Sequence, residues 1–239
     1  MEFDFKGSVV IVTGAGGNLG SAIARAFMTA GARMCLAELT ANLLHQRYPD
    51  LTSAAEHYLA APVDVNDPES VQGMVEQVVR RLGRIDVLVN TVGGFRAGGP
   101  VHETSVEDWD AMMNLNARTA FIASRGVVPH MLRQGSGKII SVAARPALQG
   151  RAGSAAYGAA KSAVIRLTES LAAELRDAGI NVNCVIPGTL DTPQNREAMP
   201  DADFSRWVQP HSLAQVVLFL ASPAGRDIHG AAIPVYGRS

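Results

Sequence analysis

Cysteine is scarce in this chain: 239 residues hold two, Cys35 and Cys184, each inside an apolar run that reads as a strand. Two isolated thiols make neither a disulfide framework nor a thiolate metal site, and both read as reduced core residues. An excess of either charge is also missing. Lys plus Arg number 21 against 22 Asp plus Glu, a formal net charge of -1, so no nucleic-acid partner is expected. No apolar run approaches the roughly 20 residues of a membrane helix, which removes the membrane as a partner. The six His are scattered without ligand-like spacing, so no metal site is expected. The opening Met1-Glu2-Phe3-Asp4-Phe5-Lys6 is acidic and leads straight into a strand. That is unlike a signal peptide, and a cytoplasmic protein is expected. Repeats, low-complexity tracts and linkers are absent. What remains is ordinary globular material, 47% hydrophobic and 18% charged, at a length that α/β folds fill as one domain.

The pattern alternates strand and helix. Val9-Val10-Ile11-Val12 is a β-branched run followed by Thr13-Gly14-Ala15-Gly16-Gly17-Asn18-Leu19-Gly20 and a helical stretch from Ser21 to Ala30. Strand, glycine-rich turn and helix in that order suit a pyrophosphate, because glycines let backbone N–H groups and the helix N-terminus come close to it. A second strand, Ala32 to Ala37, ends at Glu38, 18 residues beyond Gly20. An acid there can accept hydrogen bonds from both adenosine ribose hydroxyls and repels a 2′-phosphate, so NAD (as NADH) is expected in preference to NADP. His57 to Val65 reads as a third strand ending in Asp64-Val65, Pro68 to Leu82 as an amphipathic helix, and Ile85 to Asn90 as a fourth strand covered on both faces. Four glycines follow within Thr91 to Gly99, the mark of a backbone passing tightly by a ligand. Ser105 to Arg133 is helical, with a break expected near Asn114 to Asn116. Asn116 inside an apolar helix needs a structural partner or a role in the site. Lys138 to Val142 is a fifth strand, Ala155 to Ala178 a long helix ending at Gly179, Ile180 to Ile186 a sixth strand, His211 to Ala221 a last helix and Ala231 to Tyr236 a last strand. Between them, Gln194 to Gln209 has little periodicity and reads as a mobile loop beside the site.

Within the long helix, Tyr157 and Lys161 are four residues apart and leave the same face. A cation beside a phenol favours the phenolate, so Lys161 is expected to lower the Tyr157 pKa and make it a usable acid near neutral pH. The alternative is a partly buried Tyr and a solvated Lys on an unremarkable helix.

Taken together these motifs resemble the short-chain dehydrogenase/reductase family over nearly the whole chain. Thr13 to Gly20 is similar to its T-G-x-x-x-G-x-G turn, Asn90-Thr91-Val92-Gly93 to its N-N-A-G, Asn116 to its helix Asn, Tyr157 and Lys161 to its Y-x-x-x-K, and Pro187-Gly188 with Thr192 to its P-G-x-x-x-T. The resemblance implies one doubly wound Rossmann-type domain over 1–239, a seven-stranded parallel sheet with helices on both faces, and a mobile substrate loop around 189–210. It implies a cofactor site of Gly14, Gly16, Asn18, Leu19, Gly20, Glu38, Asp64, Val65, Asn90, Gly93, Tyr157, Lys161, Pro187, Gly188, Leu190 and Thr192, with Thr192 on the nicotinamide carboxamide. Tyr157 would be the general acid or base, Lys161 would hold the ribose and Asn116 a proton-relay water. A homodimer or homotetramer is implied too, formed through the small-residue face of the long helix and its continuation at Ile165, Leu167, Leu171 and Leu175.

Two residues depart from the pattern. Asn18 stands where the family's middle glycine would be, and Asn tolerates a left-handed backbone better than other non-glycine residues. Thirteen residues before Tyr157, where the family has its catalytic Ser, the chain has Ala144. Quinonoid dihydropteridine reductases, one branch of the family, carry Ala there as well, and Thr189 to Trp207 and Val92 to Gly99 resemble their segments. Three readings follow: an NADH-dependent reductase of a quinonoid or imine-like small molecule, a carbonyl reductase or alcohol dehydrogenase in which Ser141 or Ser154 replaces the missing hydroxyl, or a catalytically weak dinucleotide-binding sensor.

Overall fold

Short apolar runs bounded by turns form one parallel sheet of seven strands in the order β3-β2-β1-β4-β5-β6-β7. The computed structural model describes residues 3–51, 56–96 and 98–238; Met1, Glu2, Thr52 to Ala55, Ala97 and Ser239 lie outside them. The strands are β1 Val9–Thr13, β2 Arg33–Ala37, β3 Tyr58–Ala60, β4 Val87–Asn90, β5 Gly137–Val142, β6 Ile180–Pro187 and β7 Ala232–Val235. The helices are α1 Asn18–Thr29, α2 Ala41–Arg47, α3 Pro68–Leu82, α4 Val106–Met113, α5 Thr119–Gln134, α6 Ala155–Leu175, α7 Pro193–Ala198 and α8 Pro210–Ala221, with a π-helical turn at Asn114–Arg118 between α4 and α5.

Alternate residues of each central strand feed two cores. Val10, Val12, Met34, Leu36, Val87 and Val89 pack with Ile23 and Phe27 of α1 and with Leu213 and Val217 of α8. Val9, Ile11, Cys35 and Leu88 pack on the other face with Val75 and Val78 of α3, Val127 of α5 and Ala172 of α6. Burial on both faces explains why these strands are apolar without alternation. The order of strands reverses between β1 and β4, and the carboxyl ends of strands flanking such a reversal leave a crevice where ligands bind.

Besides α2, which lies in a stretch without an expected element, three elements differ from the sequence reading. The third strand pairs over Tyr58–Ala60 alone, because Pro62 has no N–H to continue the ladder; Val63 N–H then rejoins the sheet edge at Glu38 O (2.9 Å). The long helix ends at Leu175 and tightens into a 3₁₀ turn, Arg176–Ala178, before Gly179 at φ 73°. The segment expected to lack regular structure holds α7, started by the Thr192 hydroxyl accepting from Asn195 N–H (3.2 Å) with Pro193 in the first turn. Its far end returns to the sheet side, with Asp191 N–H on Val208 O and Val208 N–H on Thr189 O (2.9 and 2.8 Å).

Two glycines show how differently the fold uses this residue. A Cβ on Gly20 would stand 2.2 Å from Gly14 O, whereas one on Gly73, in α3, meets nothing within 4 Å. Gly20→Ala is therefore expected to lower stability by about 1–3 kcal/mol through backbone displacement. Gly73→Ala is expected to raise it by about 0.5–1 kcal/mol through helix propensity and unfolded-chain entropy. Urea midpoints of the two variants should move in opposite directions; a shared direction would contradict this account of the turn.

Candidate active site

The carboxyl ends of β1, β4, β5 and β6 open on a cleft of about 610 Å³. One wall is the glycine turn. Gly14 sits at φ 66°, and Gly16 has no room for a Cβ, which would come within 2.5 Å of Leu43. Gly17 caps α1 without a side-chain hydrogen bond, so the first N–H groups of that helix are left for a ligand. Position 18 is the first residue of α1, and no non-glycine residue of the described chain has positive φ. The left-handed tolerance of Asn is therefore not needed there. The other walls are Gly93, Gly94 and Phe95 after β4, Val142 to Pro146 after β5, Tyr157 and Lys161 of α6, and Pro187 to Leu190 after β6.

Of the expected cofactor residues, Gly14, Asn18, Leu19, Gly20, Gly93, Tyr157, Lys161, Pro187, Gly188 and Leu190 line this cleft, and the rest lie behind it or beyond it. Glu38 Oε2 accepts from Gly16 N–H (3.0 Å) and Oε1 from Leu39 N–H (2.9 Å), which fixes the carboxylate at the tip of β2 beside the turn. Asp64 is exposed and Val65 buried just past β3. Asn90 is buried beneath the cleft and donates to Ser124 Oγ (3.2 Å) and Ser141 Oγ (3.1 Å), while its own Oδ1 has no partner. Thr192 is buried as the cap of α7.

Asn116 holds structure together. Its amide nitrogen donates to Gly94 O (3.0 Å) and Met112 O (3.1 Å), and its Oδ1 accepts from Gly94 N–H (3.1 Å). The side chain thus clamps the loop after β4 to the π turn. A Cβ on Gly93 would lie 2.8 Å from Asn116 Oδ1 and 2.9 Å from Lys161 Nζ, so the three residues meet only because one is glycine.

Lys161 is buried, and its ammonium donates to Val142 O (2.8 Å). Burial pulls its pKa down to about 8. Tyr157 packs edge-on against Phe95, ring centroids 5.2 Å apart, and burial pushes its hydroxyl up to about 12. The direction is opposite to the lowering expected from a neighbouring ammonium, and its cause is desolvation of the phenol. A phenol in that state carries its proton at neutral pH and is a donor.

The two candidate substitute hydroxyls are committed elsewhere. Ser141 accepts from Asn90 under the sheet end, and Ser154 donates to Arg151 O (3.0 Å). Ala144 itself is buried and lines the cleft. Of the other cleft residues, Phe95, Thr189 and Met199 lie in segments expected to border the site, whereas Arg151 had no local sequence signal. Arg47 was missed too; from α2 it donates to Gly16 O (3.2 Å), a reach set by tertiary packing. No group of acidic, His or Cys residues among the described residues could hold a metal, and no described helix is long and apolar enough to cross a membrane.

The glycine cradle, the uncapped start of α1 and the acid at the tip of β2 fit a dinucleotide. Residues 8–203 match the model of the short chain dehydrogenase family. The chain belongs to that family and is an oxidoreductase of its type. It is 33% identical to (2S)-[(R)-hydroxy(phenyl)methyl]succinyl-CoA dehydrogenase subunit BbsD of Thauera aromatica, over 96% of this chain and 95% of that one. It is 35% identical to meso-2,3-butanediol dehydrogenase of Serratia marcescens, over 99% and 95%. The crystal structure of NAD+-bound xylitol dehydrogenase superposes with a TM-score of 0.89 at 28% identity, over 98% and 99% of the two chains.

The buried ammonium makes a stability prediction. Below pH 8 both folded and unfolded chains hold the Lys161 proton and the cost of burying the charge is present in full; from about 8 to 10.5 the folded chain loses that proton first, so stability rises with pH. Lys161→Met is expected to be more stable than wild type at pH 7 by about 1–3 kcal/mol, the burial cost less the lost bond to Val142 O. The gain should shrink toward pH 10 while turnover is lost. Urea denaturation across pH checks it, and a pH-independent loss of stability would contradict it.

Proposed function

We propose that the protein transfers hydride from NADH to a quinonoid or imine-like small molecule, with Tyr157 as proton donor. The observation that carries this reading is Ala144. Reduction of a simple ketone builds an alkoxide on one oxygen, and a missing preorganised donor there costs on the order of a hundredfold to a thousandfold in rate. A conjugated acceptor spreads that charge over its ring and needs the donor less. Phe95, 62% exposed and set at right angles to Tyr157, supports a flat apolar acceptor at the mouth of the cleft.

In this reading NADH supplies the hydride when bound between the glycine turn and the loop after β6. The chain's own residues do the rest. Glu38 would hold the adenosine ribose, the uncapped N–H groups at the start of α1 would hold the diphosphate, and Lys161 would supply a positive charge beside the ribose of the reacting end. Tyr157, protonated at neutral pH, gives its proton to the reduced acceptor, and the Lys161 ammonium stabilises the phenolate left behind. Segment 189–210 covers the acceptor, with Met199 and Asn195 facing the cleft. A second reading, reduction of a carbonyl or oxidation of an alcohol, is favoured by Thr189, a cleft residue whose hydroxyl has no partner among the described residues.

Association into a homodimer or homotetramer belongs to the same proposal, through the half-buried small-residue face of α6 with Leu167 and Leu171 and the exposed residues of α4 and α5. Ile165 and Leu175 face the core, while Val106, Trp109 and Phe121 of α4 and α5 are exposed.

Three measurements test these statements. Tyr157→Phe is expected to lose at least about a hundredfold in turnover, as removal of a general acid does. Titration should give tighter binding of NADH than of NADPH, the order reversing if Arg47, near the turn, takes a 2′-phosphate. On one ketone and one quinonoid dihydropterin, Ala144→Ser should improve the ketone more. Efficient ketone reduction by wild type, unchanged by the added Ser, would discard the quinonoid reading in favour of Thr189 as the donor.

A further inference from the structure

The glycine turn and the segment after β6 face each other across the cleft, and among the described residues one side-chain hydrogen bond joins them. Asn18 Nδ2 donates to Gln194 Oε1 at 2.6 Å. Asn18 lines the cleft on the turn side, and Asn195, next to Gln194 on α7, lines it on the other. Both ends of this bond are anchored. On the turn side, Arg47 donates to Gly16 O (3.2 Å) and lies 3.5 Å from Asn18 Oδ1. On the other, Thr192 caps α7 and Asn195 Nδ2 donates to Leu190 O (2.8 Å). A glycine at position 18 would leave this bond unmade, and helical geometry there means that a side chain costs the backbone nothing.

We infer that Asn18 and Gln194 form a clasp that keeps the two walls of the cleft together and slows release of the dinucleotide. The inference rests on the reading of the cleft as an NAD(H) site. A dinucleotide held between the walls leaves when they part, and parting them breaks this bond, so the bond contributes to the barrier for release and less to the barrier for entry of a ligand from the open state. The pair are positioning residues: neither touches the reacting groups, and Tyr157 and Lys161 are independent of both.

The test is the rate of NADH release, followed by its fluorescence in stopped flow, for wild type, Asn18→Ala, Gln194→Met and the double variant. Gln194→Met keeps the length of the side chain and removes the amide. Each single variant is expected to release NADH about two- to tenfold faster, the range of one net hydrogen bond, and the double variant no faster than either single. Urea midpoints of all four should agree closely, since both side chains lie at the surface. Release unchanged in the single variants, or a double variant whose acceleration is the product of the two, overturns the clasp. Failure of wild type to bind either NADH or NADPH overturns the dinucleotide reading instead, so the two outcomes are distinct.

Discussion

A buried ammonium is the constraint on which the rest of the site depends. Lys161 projects from α6 into the gap where β4 and β5 end, and an uncompensated charge there would be costly. Its ammonium donates to Val142 O at the end of β5. The approach of the next loop is set by the same group, since Gly93 comes so near that a Cβ would meet both Nζ and Asn116 Oδ1. Asn116 in turn holds Gly94 by both backbone groups, and it does so from a π turn that interrupts the α4–α5 helix. Removing Lys161 takes the side-chain donor from Val142 O, and removing Asn116 takes the side-chain partners from both backbone groups of Gly94, which couples helix, loop and strand end.

These parts are placed by the sheet. The switch between β1 and β4 opens the crevice, and the pairing of Asn90 with Ser141 across β4 and β5 closes its floor. With the Asn90 amide nitrogen of the floor bonded to Ser124 and Ser141, the groups left facing the cleft include backbone N–H groups of the glycine turn and the hydroxyls and rings of its walls. In the proposed reading, binding by backbone and chemistry by side chain are thereby separated in space, the first on the turn and the second on α6.

Much of this was legible in the sequence because it depends on periods and on single residue types. Continuous apolar runs announced two-sided burial, the strand–glycine–helix order announced the turn, and Asn116 in an apolar helix announced a partner. What was not legible depends on distance in space. Pro62 cutting β3 short and the Thr192-Pro193 start of α7 were local signals that went unused. Arg47 reaching Gly16 and Asn18 reaching Gln194 had no local signal, because packing decides what a long or amide side chain touches. The Tyr157 pKa went the other way from expectation for a similar reason: the spacing of Tyr and Lys is in the sequence, but the depth at which both are buried is not.

The relatives sharpen where specificity resides. Enzymes named for a succinyl-CoA derivative and for a butanediol match this chain from end to end at about one residue in three, so the framework does not select the substrate. Residues free to differ must be those whose loss leaves no buried group unpaired. Phe95 is exposed, Ala144 has no polar atom, and Met199 and Thr189 face the cleft without a side-chain partner among the described residues. Asn116, Asn90 and the turn glycines have no such freedom, since each is enclosed by backbone or by another polar group. A change of substrate in this fold is therefore cheap in stability at the four wall positions and expensive at the others, and the absence of a hydroxyl at position 144 is a change of the cheap kind.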